Sequence, residues 1–149
     1  MKKLKLIPLL AVVFMLNVAS MCSSDDNSSS ASTTTTQVQN AATSGTWHVT
    51  LYNEDGSVQT SDYSGYNFSF NSDGSLAAVK SGSTTQTGTW NTLSDSGSVK
   101  MNIGFTAPDG PFESISEDWR VLSASTSKIE LKHTSGGDGS IDLLTFEKN

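Results

Sequence analysis

The candidates for chemistry in this chain are two histidines, His48 and His133, a single cysteine, Cys22, and fifteen acidic side chains. A zinc centre needs several His, Cys, Asp or Glu groups converging on one point. Two histidines 85 positions apart, with the cysteine placed for another purpose, give no such ligand spacing, and neither a metal nor another cofactor is expected. A nucleophilic serine needs an oriented base beside it, and often the Gly-x-Ser-x-Gly elbow between a strand and a helix. None of the serines stands in that motif. Glu54-Asp55 and Glu117-Asp118 are adjacent carboxylates in turn-like segments, whereas paired catalytic acids must face each other across a cleft. The Asp-Gly steps at Asp55, Asp73, Asp109 and Asp138 lack the spacing of a calcium loop and suit tight turns instead. These residues predict no catalytic site and no enzyme.

Cys22 cannot form an intramolecular disulfide, because it has no second cysteine to pair with. Its surroundings explain it better. Lys2, Lys3 and Lys5 precede an apolar run over residues 6–18, and the small residues Ala19 and Ser20 lead to Met21 and Cys22. A positive start, a short apolar core and a small-residue cleavage zone make a secretory signal. The run is shorter than the roughly 20 residues that span a bilayer. The segment resembles a lipobox, whose cysteine becomes the acylated first residue of the mature protein. It departs from that pattern at Met21, where a small residue is usual, and at Ala19, where Leu is usual. Ordinary cleavage after Ser20, leaving a free thiol, is the competing reading. Acylation by several chains would anchor the protein stably where one gives only marginal binding. Residues 1–21 thus form the expected signal peptide, Cys22 the lipid attachment site, and the outer membrane, with possible display at the cell surface, the expected location.

Removing residues 1–21 takes three of nine basic residues and no acid, leaving six against fifteen, a net charge of −9 over 128 residues. Nucleic acid needs clustered Lys and Arg, so it is not an expected partner. Residues 22–43 are dominated by Ser, Thr, Asn and Asp, with one Val and no aromatic residue. Such a segment buries too little apolar area to offset its ordering entropy and is expected to be a flexible tether, with a span of about 25 Å by coil statistics. Its opening, Ser23-Ser24-Asp25-Asp26, resembles the acidic stretch that follows the cysteine in Bacteroidetes-type lipoproteins and can direct export to the cell surface. A simply solvated, charged tether accounts for the same residues.

From residue 44 onward the pattern changes to strict alternation. Trp47, Val49 and Leu51 share one face of a first strand, with His48, Thr50 and Tyr52 on the other. Tyr66, Phe68 and Phe70 mark a second strand, followed by the turn Asn71-Ser72-Asp73-Gly74. Residues 76–80 and 84–92 are the third and fourth, joined around Gly82. Val99, Met101, Ile103 and Phe105 alternate most clearly, and residues 119–124, 128–133 and 141–147 complete a count of eight. The best helical stretch is about a turn within residues 112–118, where Ser114 and Glu117 fit a capping box. Eight short strands at hairpin spacing predict an all-β fold, a small antiparallel up-and-down barrel over residues 44–149. Closure hides the sheet edges that otherwise invite aggregation.

Gly45-Thr46-Trp47 at the head of the first strand resembles the Gly-x-Trp signature of lipocalins. Together with Tyr66-x-Phe68-x-Phe70, Asn71-x-Asp73-Gly74, Gly88-Thr89-Trp90, Asp118-Trp119 and the ending Leu144-Thr145-Phe146-Glu147-Lys148-Asn149, the domain is similar to small lipocalin-like lipoproteins of Bacteroidetes. The resemblance implies a barrel closed at the end where Trp47 packs and open at the other. In larger lipocalins a late arginine lies over that tryptophan, a cation on a π face. Arg120, the sole arginine, is the candidate for this stack, with an exposed arginine near Glu117 as the alternative.

Trp47, Tyr66, Phe68, Phe70, Trp90, Phe105, Trp119 and Phe146 could line a pocket for a small apolar ligand. Trp47, Tyr66, Phe68, Trp90, Phe105 and Phe146 are the candidate ligand contacts. The same residues could instead fill the barrel, since eight strands enclose a space just wide enough for packed side chains or one small ligand. Two functions follow from these alternatives. One is a lipid-anchored binding protein with an apolar ligand in its barrel. The other is a packed barrel on a tether, acting as an interaction module toward an envelope protein or a surface.

Overall fold

The computed structural model describes residues 32–81 and 85–149. The expected signal peptide, Cys22, and residues 22–31 of the expected tether lie outside these residues, as do the turn at Gly82 and the first residue of the strand expected at 84–92.

Among the described residues nine strands follow a short helix: α1 (Thr35–Ala42), β1 (Thr46–Glu54), β2 (Ser57–Val58), β3 (Tyr66–Phe70), β4 (Ser75–Lys80), β5 (Gln86–Asp95), β6 (Ser98–Phe105), β7 (Asp118–Ala124), β8 (Lys128–Thr134) and β9 (Ile141–Lys148). A second short helix, α2 (Pro111–Ser114), lies between β6 and β7, and a 3-10 turn covers Thr60–Tyr63. Every pairing between neighbours is antiparallel, in the order β1-β3-β4-β5-β6-β7-β8-β9, and β9 pairs back onto β1 from Trp47↔Lys148 to Glu54↔Asp142. Eight strands therefore close an up-and-down barrel. The two-residue β2 folds back on the end of β1 as a ninth.

Period-two patterning places the core. In β6, Val99, Met101, Ile103 and Phe105 are buried and the residues between them are not. β1 departs from the expected alternation: its register against β9 shifts between Val49 and Leu51, which leaves Thr50 unpaired. A bulge of this kind flips every later side chain to the other face. Tyr52, assigned to the polar face by simple alternation, is consequently buried, and Leu51 is only partly so. The same event between Val121 and Ser123 brings Ala124 inward, where simple alternation would turn it out.

The reading of residues 22–43 as tether throughout needs correction at its C-terminal part, where residues 35–42 form α1. Thr34 caps the helix, its hydroxyl accepting from the Gln37 N–H at 3.2 Å. Val38, Ala41 and Ala42, at helical spacing, are buried against the barrel end. Eight residues are too few for a helix to persist alone in water, so docking supplies its stability. Two bonds fix it: the Trp47 indole donates to the Ala42 carbonyl at 2.8 Å, and the Gln37 amide donates to the Ala124 carbonyl at 2.9 Å.

Candidate functional site

The barrel interior is where the six candidate ligand contacts should meet, and five of them do so through short aromatic contacts. Phe68 lies 5.2 Å from Phe146 and 6.5 Å from Phe105, ring centre to ring centre. Phe70 links Phe146 to Trp90, at 5.4 Å from each. Tyr66 joins through Phe112, its ring 5.0 Å away. Most of these contacts are edge-to-face, the geometry that the aromatic quadrupole favours. Trp47 sits apart from this chain of rings, fully buried beneath α1. All three tryptophans satisfy their indole N–H on backbone carbonyls: Trp47 on Ala42, Trp90 on Asn71 and Trp119 on Ile115.

Phe112 is the residue that sequence reasoning missed. It rides on α2, in a loop with no alternation to mark it, and its ring is 4.8 Å from Phe105, 6.1 Å from Tyr63 and 6.2 Å from Phe68. Gly110, at φ 56°, turns the chain into this helix, and Pro111 occupies its first turn. Ser114 is the last residue of α2 and caps nothing at its start, which corrects the expected capping box. The Tyr63 hydroxyl donates to the Pro111 carbonyl at 2.6 Å and the Tyr52 hydroxyl to Ser114 at 3.4 Å. Burial pushes the Tyr52 phenol up to about 12 and raises that of Tyr63 as well. The mouth that the resemblance left open is thus plugged by Phe112, Tyr63 and Tyr52, while α1 covers the opposite end.

Arg120 makes no stack on Trp47. Trp119 points into the barrel, so alternation sends Arg120 outward, where it is exposed. There it faces Lys100 on β6 and Lys132 on β8. A small cleft of about 220 Å3 includes these three side chains together with Asp118 and His133.

His133 occupies the end of β8, as expected, with both ring nitrogens toward acids. Its Nδ1 is 3.5 Å from Asp142, and its Nε2 is 4.0 Å from Glu117 and 3.9 Å from Asp118. Glu117, Asp118 and His133 could each offer one ligand atom to a metal ion, all within 4.8 Å of one another. The cluster is not preset for one. Asp118 gives its other oxygen to Lys100 at 2.6 Å, and this ion pair holds its carboxyl below the usual carboxylate range. His48 lies half-buried on the opposite side of the alternation from Trp47 and Val49; it pairs with Glu147 near the far end of β9, whereas His133 pairs with Asp142 near that strand's start. Among the described hydrogen bonds, none joins a serine or threonine hydroxyl to either histidine.

Two wider grooves flank α1. One, of about 440 Å3, lies between α1, the β3–β4 turn and β5, and Trp90 is the single candidate ligand contact that borders it. The other, of about 420 Å3, separates α1 from the β7–β8 turn.

No family model matches this chain, and no curated protein matches it. Among solved structures, a DUF4847 family protein from Bacteroides vulgatus aligns with a TM-score of 0.53 at 19% identity, covering 75% of this chain and 97% of that one. A lipocalin-like protein from Bacteroides uniformis gives a TM-score of 0.45 at 17% identity, covering 72% and 99%. The first likeness is one of fold. The strand order and closure, with Gly45-Thr46-Trp47 opening the first strand, make this domain a lipocalin-like barrel. It differs from the expected open cup in having both ends covered.

Proposed function

We propose that this chain is a lipid-anchored envelope protein whose lipocalin-like domain works through its outer surface, as an interaction module, and not as a carrier with an apolar ligand inside. The observation that carries this reading is Phe112, seated among Tyr63, Tyr66, Phe68 and Phe105 where a ligand would enter. A buried aromatic of this size stabilises the fold by several kcal/mol, and a ligand would have to displace it. Anchoring rests on the leader ahead of Cys22, and outer-membrane or cell-surface placement on the acidic residues after it. The partner would be an envelope protein or a surface component.

Native mass spectrometry of the purified chain separates the two readings. The surface reading expects the mass of the protein and its lipid alone. A reproducible apolar small molecule that co-purifies would overturn it and restore Tyr66, Phe68, Trp90, Phe105 and Phe146 as ligand contacts. Anchoring has its own test. Cys22→Ala should move the protein from the membrane fraction to the soluble one, and its persistence in membranes would end the acylation reading.

A further inference from the structure

The larger groove beside α1 carries a chemistry of its own. Its walls come from three elements, with Gln39 and Asn40 on α1, Asn71 and Asp73 on the β3–β4 turn, and Trp90 and Asn91 on β5. About 440 Å3 falls in the size range of small-molecule sites. No Lys, Arg or His is among the residues that line it, so nothing there would hold a phosphate or a carboxylate. The one carboxylate, Asp73, is already engaged: the same oxygen accepts from the Ser75 N–H at 2.8 Å and the Ser75 hydroxyl at 2.6 Å. A single carboxylate is too little for a hard cation, which gathers six or more oxygen ligands. An apolar ligand would strand the surrounding amides without partners, at a cost for each buried group.

The amides decide the class. The side chains of Gln39, Asn40 and Asn91 make no hydrogen bond within the described residues, and each is exposed to the groove. A carboxamide offers two donors and an acceptor in one plane. Adjacent hydroxyls on a sugar ring, each both donor and acceptor, fit that pattern. Trp90 is 6% exposed and packs inward on Phe70, so it gives the groove only an apolar edge, its N–H being committed to the Asn71 carbonyl at 2.9 Å. This wall is preset: the Trp90 backbone N–H donates to Gly74 at 2.9 Å, the Gly74 N–H to Asn71 at 3.0 Å, and the Asn71 amide to Ser75 at 2.9 Å.

We propose that this groove binds a neutral carbohydrate, held by Gln39, Asn40 and Asn91 against Trp90. The inference rests on the reading that the domain works through its outer surface and names the ligand class for that surface. The test is a printed array of neutral and acidic glycans probed with the full chain. Binding to neutral glycans is expected. Asn40→Ala and Asn91→Ala should each weaken it by about tenfold, the loss of one or two hydrogen bonds. Both side chains are exposed, so the urea midpoint should not move, and Lys132→Gln outside the groove should bind as the parent does. Silence on every neutral glycan, a preference for acidic ones, or binding indifferent to Asn40 and Asn91 overturns the proposal. Those failures leave the surface reading standing, whereas an apolar molecule found by mass spectrometry would fell that reading without touching the array result.

Discussion

Single residues set tolerances here that their types alone do not announce. At Gly88 the backbones of β5 and β6 approach so closely that an added Cβ would collide with the Gly104 carbonyl and lie 2.7 Å from the Phe105 Cα. Neither obstacle is a flexible side chain, so the strands themselves must part. Gly88→Ala is expected to cost about 2–3 kcal/mol, as overpacking typically does, measured as a lower urea midpoint. The tyrosines give a second prediction. Unfolded, both Tyr52 and Tyr63 ionise near pH 10. Folded, burial holds Tyr52 protonated up to about 12 and shifts Tyr63 in the same direction. Between about pH 10 and 12 the native state therefore keeps protons that the unfolded chain has lost, and stability falls as pH rises. Below that window their contribution is complete. Urea midpoints followed through the window should decline, and Tyr63→Phe should flatten the decline. A midpoint that stays constant to pH 12 in the parent would show that these phenols are not shielded from water.

At the scale of elements, what was legible in the sequence was whatever alternation could carry. The expected strands at 128–133 and 141–147 correspond to Lys128–Thr134 and Ile141–Lys148 within a residue. Alternation fails where the chain adds a residue to a strand, and that is why Tyr52 was placed on the wrong face. Helix α1 was illegible for a different reason. Thr35, Thr36, Val38 and Asn40 are poor helix formers, and only Val38, Ala41 and Ala42 mark a face. Composition weighs the whole segment and finds tether; three small contacts against a ready-made barrel end are enough to order it. The consequence can be measured. A chain starting at residue 44 should be less stable than one starting at residue 32, by on the order of 3 kcal/mol for the burial of Val38 and its neighbours. The Trp47 indole N–H would lose its acceptor, and its fluorescence should shift to the red. Equal urea midpoints for the two chains would mean that residues 32–43 add nothing to the barrel.

For the molecule as a whole, closure was readable and the contents were not. An eight-strand count and a Gly-x-Trp opening imply a barrel, but eight strands admit a packed interior as readily as an occupied one. The aromatic residues were legible as inward-facing, and five of six do meet. What decides between core and pocket is Phe112, which comes from a loop and enters by tertiary contact alone. Three bonds hold it in place: Tyr63 to Pro111, Tyr52 to Ser114, and the Ser116 hydroxyl to the Phe112 carbonyl at 2.7 Å. If the plug is what fills the interior, removing it should expose a site that the parent lacks. Phe112→Ala is expected to lose about 3–5 kcal/mol, the usual cost of an emptied aromatic site. The space left is lined by Tyr63, Tyr66, Phe68 and Phe105, and an apolar cavity of this kind stays dry and accepts small apolar guests. Benzene should therefore raise the melting temperature of Phe112→Ala, by mass action on the folded state, and leave that of the parent unchanged. If the parent is stabilised by benzene to the same extent, its barrel already holds an accessible cavity, and the apolar carrier becomes the better account of this fold.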